Sequence, residues 1–98
     1  MSRHARIDAL ARSITRGSAS AVLSPTNFRL LLYFVEHSGR WISESRIIGD
    51  VFGTHHAPGS SIVRVHVCSL RKTVEAFGLH VEHRRQAGYR LAKGGSKS

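Results

Sequence analysis

The chain has 98 residues, 15 lysines and arginines against 6 acidic residues, and a formal charge of +9, with 41% hydrophobic residues. That length holds one small domain with one core, the apolar share excludes wholesale disorder, and the single cysteine excludes an intramolecular disulfide framework. No apolar run is long enough to span a bilayer, and the opening Met1-Ser2-Arg3-His4 lacks the apolar centre of a signal peptide, so the cytoplasm is the expected compartment and no membrane contact is expected.

In chain order, residues 3–16 predict an amphipathic helix: Ile7, Leu10, Ala11 and Ile14 share one face and Arg12 and Arg16 lie opposite, with Gly17 as its stop. Residues 18–23 read as a linker or a short strand. Ser24-Pro25 is a strong helix start, an N-cap followed by a residue suited to the first turn. The helix behind it runs to about His37. Phe28, Leu31, Leu32 and Val35 cover one side and Leu30 and Phe34 much of the other, so it must be buried on two sides. Trp41-Ile42 predicts a short strand. Ser43 caps a helix with Ile47, Ile48, Val51 and Phe52 inward, and residues 54–59 form a loop.

The most informative stretch is 61–91. Val63, Val67, Leu70, Val74 and Phe77 recur at steps of four, three, four and three, one apolar stripe of a helix over 61–77 with Ser60 or Ser61 as its cap. Val65, Cys68, Ser69 and Lys72 point away from that stripe, with Arg64 and Arg71 on a flank. Leu79, Val81, Tyr89 and Leu91 then alternate as a hairpin over 79–92, with arginines at its turn. Charge follows the same division: residues 17–61 hold three basic and three acidic groups, whereas 62–98 hold eight basic groups against Glu75 and Glu82. A basic helix beside a basic hairpin is the electrostatic footprint of a phosphate-bearing duplex.

Three helices followed by a hairpin predict an α+β winged helix-turn-helix: a three-helix core, a C-terminal β-hairpin wing and an additional N-terminal helix. The expected organisation is 1–18 as that helix and its linker, 19–92 as the DNA-binding domain and 93–98 as a flexible tail.

Residues 23–92 resemble the DNA-binding domain of the OmpR/PhoB-type response regulators. The matching residues are Leu23-Ser24-Pro25 leading into Phe28-Arg29-Leu30-Leu31, Ser38-Gly39-Arg40 before Ile42-Ser43, and Val51-Phe52-Gly53. Val63, Val65-His66-Val67, Leu70-Arg71-Lys72 and Gly88-Tyr89-Arg90-Leu91 complete the pattern. The resemblance implies a bacterial, sequence-specific transcription regulator with helix 61–77 in the major groove of double-stranded DNA and the wing, 83–89, in the minor groove. The residues expected at the DNA are Ser61, Arg64, Val65, His66, Cys68, Ser69, Arg71, Lys72, Arg84, Arg85 and Tyr89. Arg71 matches a family contact and Arg85 the wing arginine. Loop 53–60 corresponds to a segment that touches RNA polymerase in the family, and a homodimer is implied.

Departures limit what transfers. Asn27 stands where the family favours glutamate, Arg64 where an acidic residue is usual, Cys68 and Ser69 where basic residues are frequent, and Gln86 where glycine is frequent. Only 22 residues precede Leu23, too few for a receiver, so a stand-alone domain without an aspartyl-phosphate switch is expected. Ile7, Leu10 and Ile14 are then expected to cover Leu30 and Phe34, within one chain or across a dimer.

No cofactor, metal or catalytic role is expected. His55-His56 lie in a loop without acidic neighbours, His80 and His83 would face opposite sides of a strand, and no nucleophile motif or carboxylate pair occurs. Cys68 is expected to be an inert outward side chain, although its oxidation would alter a groove contact. Two other functions stay open: a winged helix that binds a regulator or polymerase subunit, and an architectural DNA protein of low specificity.

Overall fold

The computed structural model describes residues 5–53 and 61–93. It begins with strands β1 (Arg6–Asp8), β2 (Ser13–Arg16) and β3 (Ala19–Val22), which form an antiparallel sheet in the order β1-β2-β3. Ile7 pairs with Ile14, and Ile14 with Ala21.

This sheet corrects the N-terminal helix expected over 3–16. A spacing of seven between Ile7 and Ile14 suits two helical turns, but it equally makes them cross-strand partners. Local chemistry decides for the hairpin. The Asp8 carboxylate accepts from the amides of Leu10 and Ala11 at 3.0 and 3.3 Å, holding the turn that a helix would have to straighten. Gly17 supplies a positive φ of 62° at the next turn. Leu10, expected to cover the core, is instead 98% exposed at the first turn, whereas Ile14 is fully buried and Ile7 packs against the core from its edge. Strands β2 and β3 pair across residues 17 and 18.

Helix α1 (Pro25–Glu36) follows. Ser24 accepts at its Oγ from the Asn27 amide at 3.2 Å, and Pro25 occupies the first helical position. Leu30, Leu31 and Phe34 are fully buried, as a helix apolar on two sides requires. Helix α2 (Glu44–Ile47), capped by Ser43 through the Arg46 amide, continues as a wider π turn over Ile48–Phe52. Helix α3 (Ile62–Glu75) buries Val63, Val67, Leu70 and Val74, with Phe77 just beyond its end. Strands β4 (Leu79–Arg84) and β5 (Gly88–Lys93) form the wing hairpin. The expected Trp41-Ile42 strand reduces to one bridge: the Ile42 amide donates to the Tyr89 carbonyl at 2.8 Å, and the Tyr89 amide returns a bond to the Ile42 carbonyl at 2.9 Å.

One core therefore joins all layers, from Ile14 through α1 and α3 to Val81 and Leu91. Among the described residues no helix is long and apolar enough to cross a membrane.

A polar tie fastens α1 to the π turn. Tyr33 donates its hydroxyl to Asp50 Oδ2 at 2.6 Å. Burial, then the hydrogen bond and charge of Asp50, push the phenol pKa from 10.0 up to about 12, against the opposing pull of Arg46. The unfolded chain loses this proton first, so the contribution is complete below pH 10 and disappears between pH 10 and about 12. Urea unfolding at stepped pH should show wild type losing more stability across that window than Tyr33→Phe. Parallel curves would mean that the tie contributes nothing.

Candidate nucleic-acid interface

The apolar stripe that seats α3 leaves its opposite side in solvent. Arg64, Cys68 and Lys72 recur every four residues on that side, Val65 beside them is 59% exposed, and Ser61 is exposed at the N-cap. Arg71 is half-buried at the flank. Ser61 sits at the cap without a side-chain bond to the helix, and Ser60 lies outside the described residues.

Two residues expected at the DNA have a second task. Asn27 is a buried polar residue on α1; its Nδ2 donates to Ser69 Oγ at 3.1 Å, and its Oδ1 is 3.3 Å from His66 Nδ1. The amide oxygen can only accept, so His66 Nδ1 carries the proton. The His66 ring also lies 5.2 Å from that of Phe52. Asn27 thus replaces a capping-box glutamate with a cross-helix clamp that orients α3 on α1. In the sequence Asn27 stood out only as a departure from the glutamate that the family favours. The overlooked signal was its place on the helical stripe with Leu31 and Phe34, where a polar residue needs a buried partner.

On the wing, residues 85–87 form the turn, closed by the Ala87 amide donating to the Arg84 carbonyl at 3.0 Å. Arg84 and Arg85 are exposed. Gln86 holds a φ of +72°, the left-handed conformation that explains why glycine is frequent there. Tyr89 is buried; its ring lies 4.7 Å from that of His83, and its hydroxyl donates to Glu44 Oε2 at 3.3 Å. Burial first and then the Glu44 carboxylate raise its pKa, while the Arg64 guanidinium lowers it. Arg64 therefore stands at the junction of α3, the wing and the start of α2. Tyr89 is anchored in the fold, with only its hydroxyl end at this junction.

Charge availability separates the arginines. Among the described residues the ion pairs are Arg46 with Asp50 and Arg90 with Glu82. Arg64, Lys72, Arg84 and Arg85 form no such pair, so their charge remains available to a ligand. Sequence reasoning also missed Trp41, half-buried on the outer side of the hairpin, with the guanidinium carbons of Arg84 and Arg90 4.9 and 4.5 Å from its ring centre. No group of three or more metal-ligating side chains occurs among the described residues; His55 and His56 lie outside them, as does most of loop 53–60.

The family model described as "Transcriptional regulatory protein, C terminal" matches residues 18–91. The transcriptional regulatory protein VxrB of Vibrio cholerae is 32% identical over 85 residues, which are 87% of this chain and 34% of VxrB. The chain thus spans about a third of that relative. The DNA-binding domain of Bacillus subtilis CssR superposes with a TM-score of 0.79 at 28% identity, covering 90% of this chain and 99% of that one. The Klebsiella pneumoniae RstA DNA-binding domain, solved in complex with its RstA box, gives a TM-score of 0.78 at 22% identity and covers 90% of each chain.

Proposed function

The chain belongs to the family of transcriptional regulatory protein C-terminal domains, the OmpR/PhoB-type winged helices, and from that membership we propose that it binds double-stranded DNA sequence-specifically to regulate transcription. The family is one of DNA-binding domains, not of enzymes. The observation that carries the reading is the unpaired cationic side of α3, with Arg64 and Lys72, continued by Arg84 and Arg85 on the wing. A helix with this face fits the major groove, and a wing arginine fits the adjacent narrow minor groove, where the potential is most negative.

The reading assigns Arg64, Val65, Cys68 and Lys72 to the groove, with Ser61 and Arg71 at its flanks and Arg84 and Arg85 to the wing. Val65 offers a methyl surface to a thymine. His66 and Ser69 are held beside this surface by Asn27, and Tyr89 by Glu44. The RstA domain, which shares this fold, was solved with its own box, which supports double-stranded DNA as the ligand. A homodimer on two half-sites and a polymerase contact through loop 53–60 extend the reading; their support is the family resemblance of those segments.

Selection of bound fragments from random duplex DNA, followed by salt titration of the winner, tests the proposal. Binding should weaken with a log–log slope of about −0.9 per phosphate contact, and the selected site should be preferred over random duplex by roughly a thousandfold. Salt-sensitive binding without that preference would make the protein architectural. Absence of salt-sensitive DNA binding would reject the DNA reading in favour of a protein-binding winged helix.

A further inference from the structure

We propose that Trp41 is a positioning residue for the wing, its ring holding the Arg84 guanidinium ready as a phosphate contact beside Arg85.

The argument begins with the strand alternation. Leu79 and Val81 of β4 and Tyr89 and Leu91 of β5 are buried, which leaves Glu82, Arg84 and Arg90 on the hairpin's outer face. Ile42 exchanges two backbone bonds with Tyr89, at 2.8 and 2.9 Å, and its side chain enters the core. The neighbouring Trp41 is thereby pinned beside the hairpin, where its ring meets that outer face.

The two guanidiniums on the ring differ in kind. Arg90 is neutralised by Glu82, its Nε donating at 2.9 Å and its terminal nitrogen making the ion pair. Among the described residues Arg84 has no carboxylate partner, and its guanidinium lies over the Trp41 ring. A ring restrains a guanidinium through its π face without cancelling the charge, and the N–H groups along the guanidinium edge stay free to donate. An arginine on an open strand would lose its rotamer freedom on meeting DNA; one already resting on a ring loses less. Arg84 immediately precedes the turn that carries Arg85, so the restrained cation sits where the wing meets the duplex backbone.

This proposal rests on the DNA-binding reading, and the test separates the two. Affinity of the full chain for its selected duplex is measured against salt for wild type, Arg84→Ala, Trp41→Leu, Trp41→Phe and the double variant Trp41→Leu/Arg84→Ala. Arg84→Ala and Trp41→Leu should each weaken binding by about threefold or more, the double variant no further than Arg84→Ala alone, and the salt slope of Arg84→Ala should shrink by about 0.9. Trp41→Phe, which retains a π face, should recover most of the loss. If Trp41→Leu fails to fold, the emission of this chain's one tryptophan supplies the readout: it should shift on DNA addition in wild type and stay unchanged in Arg84→Ala. Losses that multiply independently, equal losses for Leu and Phe, tighter binding by Trp41→Leu, or an emission response that survives Arg84→Ala would each overturn the proposal. Wild-type protein that shows no salt-sensitive DNA binding would instead reject the function on which it rests.

Discussion

Alanine at position 88 is expected to cost about 3–5 kcal/mol of folding stability, a large part of what a domain of this size possesses. Gly88 closes the wing with a φ of +106°, a conformation that side chains rarely adopt. A Cβ there would stand 1.9 Å from the Ile42 carbonyl oxygen and 2.6 Å from its carbon, backbone atoms that cannot turn aside. Relief requires Ile42 to move away from β5, which breaks the paired bonds between Ile42 and Tyr89, each worth about 1 kcal/mol. Trp41 and the Ser43 cap of α2 would move with it, so the effect should spread from the wing to the second helix. Denaturant unfolding should show the loss, with a midpoint temperature lower by more than about 12 °C. A change below about 1 kcal/mol would mean that the hairpin and the 41–43 segment are not locked together as described.

Removing Arg64, Lys72 and Arg85 together, each to alanine, is expected to weaken DNA binding by at least about a hundredfold at moderate salt, since a contact of this kind is worth about 1–3 kcal/mol. The salt slope should become shallower by close to three contacts' worth, about 2.7 in log–log terms. Stability should change little, because all three side chains are exposed and none is in an ion pair. If anything, relief of like-charge repulsion in a chain of charge +9 should raise it slightly. Random and selected duplexes distinguish the roles within the trio when each residue is replaced alone. A phosphate contact weakens both equally, whereas a base contact costs the selected site more. Unchanged affinity in the triple variant would place the binding face elsewhere on the molecule.

The parts of this fold that were legible in advance are those decided locally. Val63, Val67, Leu70 and Val74 mark α3 because a helix repeats its faces within a few residues, and Ser24-Pro25 marks the start of α1 because capping involves only the first turn. The N-terminal segment was misread because Ile7 and Ile14 satisfy two periods at once. What broke the tie was an Asp8 side chain bonding to its own turn, together with pairing to β3. The clamp of Asn27 on His66 and Ser69 spans 39 and 42 residues of chain, and no local pattern announces partners at that distance. The same holds for Trp41, which reads as an ordinary strand residue until the hairpin brings Arg84 and Arg90 to its ring.

By itself, then, the order of residues determined the cationic helix and the wing, because periodicity, capping and charge are properties of neighbours along the chain; its motifs carried the resemblance to the family, and that resemblance the expected nucleic-acid partner. Only the tertiary structure decided that residues 6–22 carry a three-stranded sheet, that Asn27 ties Ser69 and His66 of α3 to α1, and which arginines stand in ion pairs. Those outcomes depend on which distant groups burial brings within bonding range, and the energy of a buried polar group is set by its partner in space.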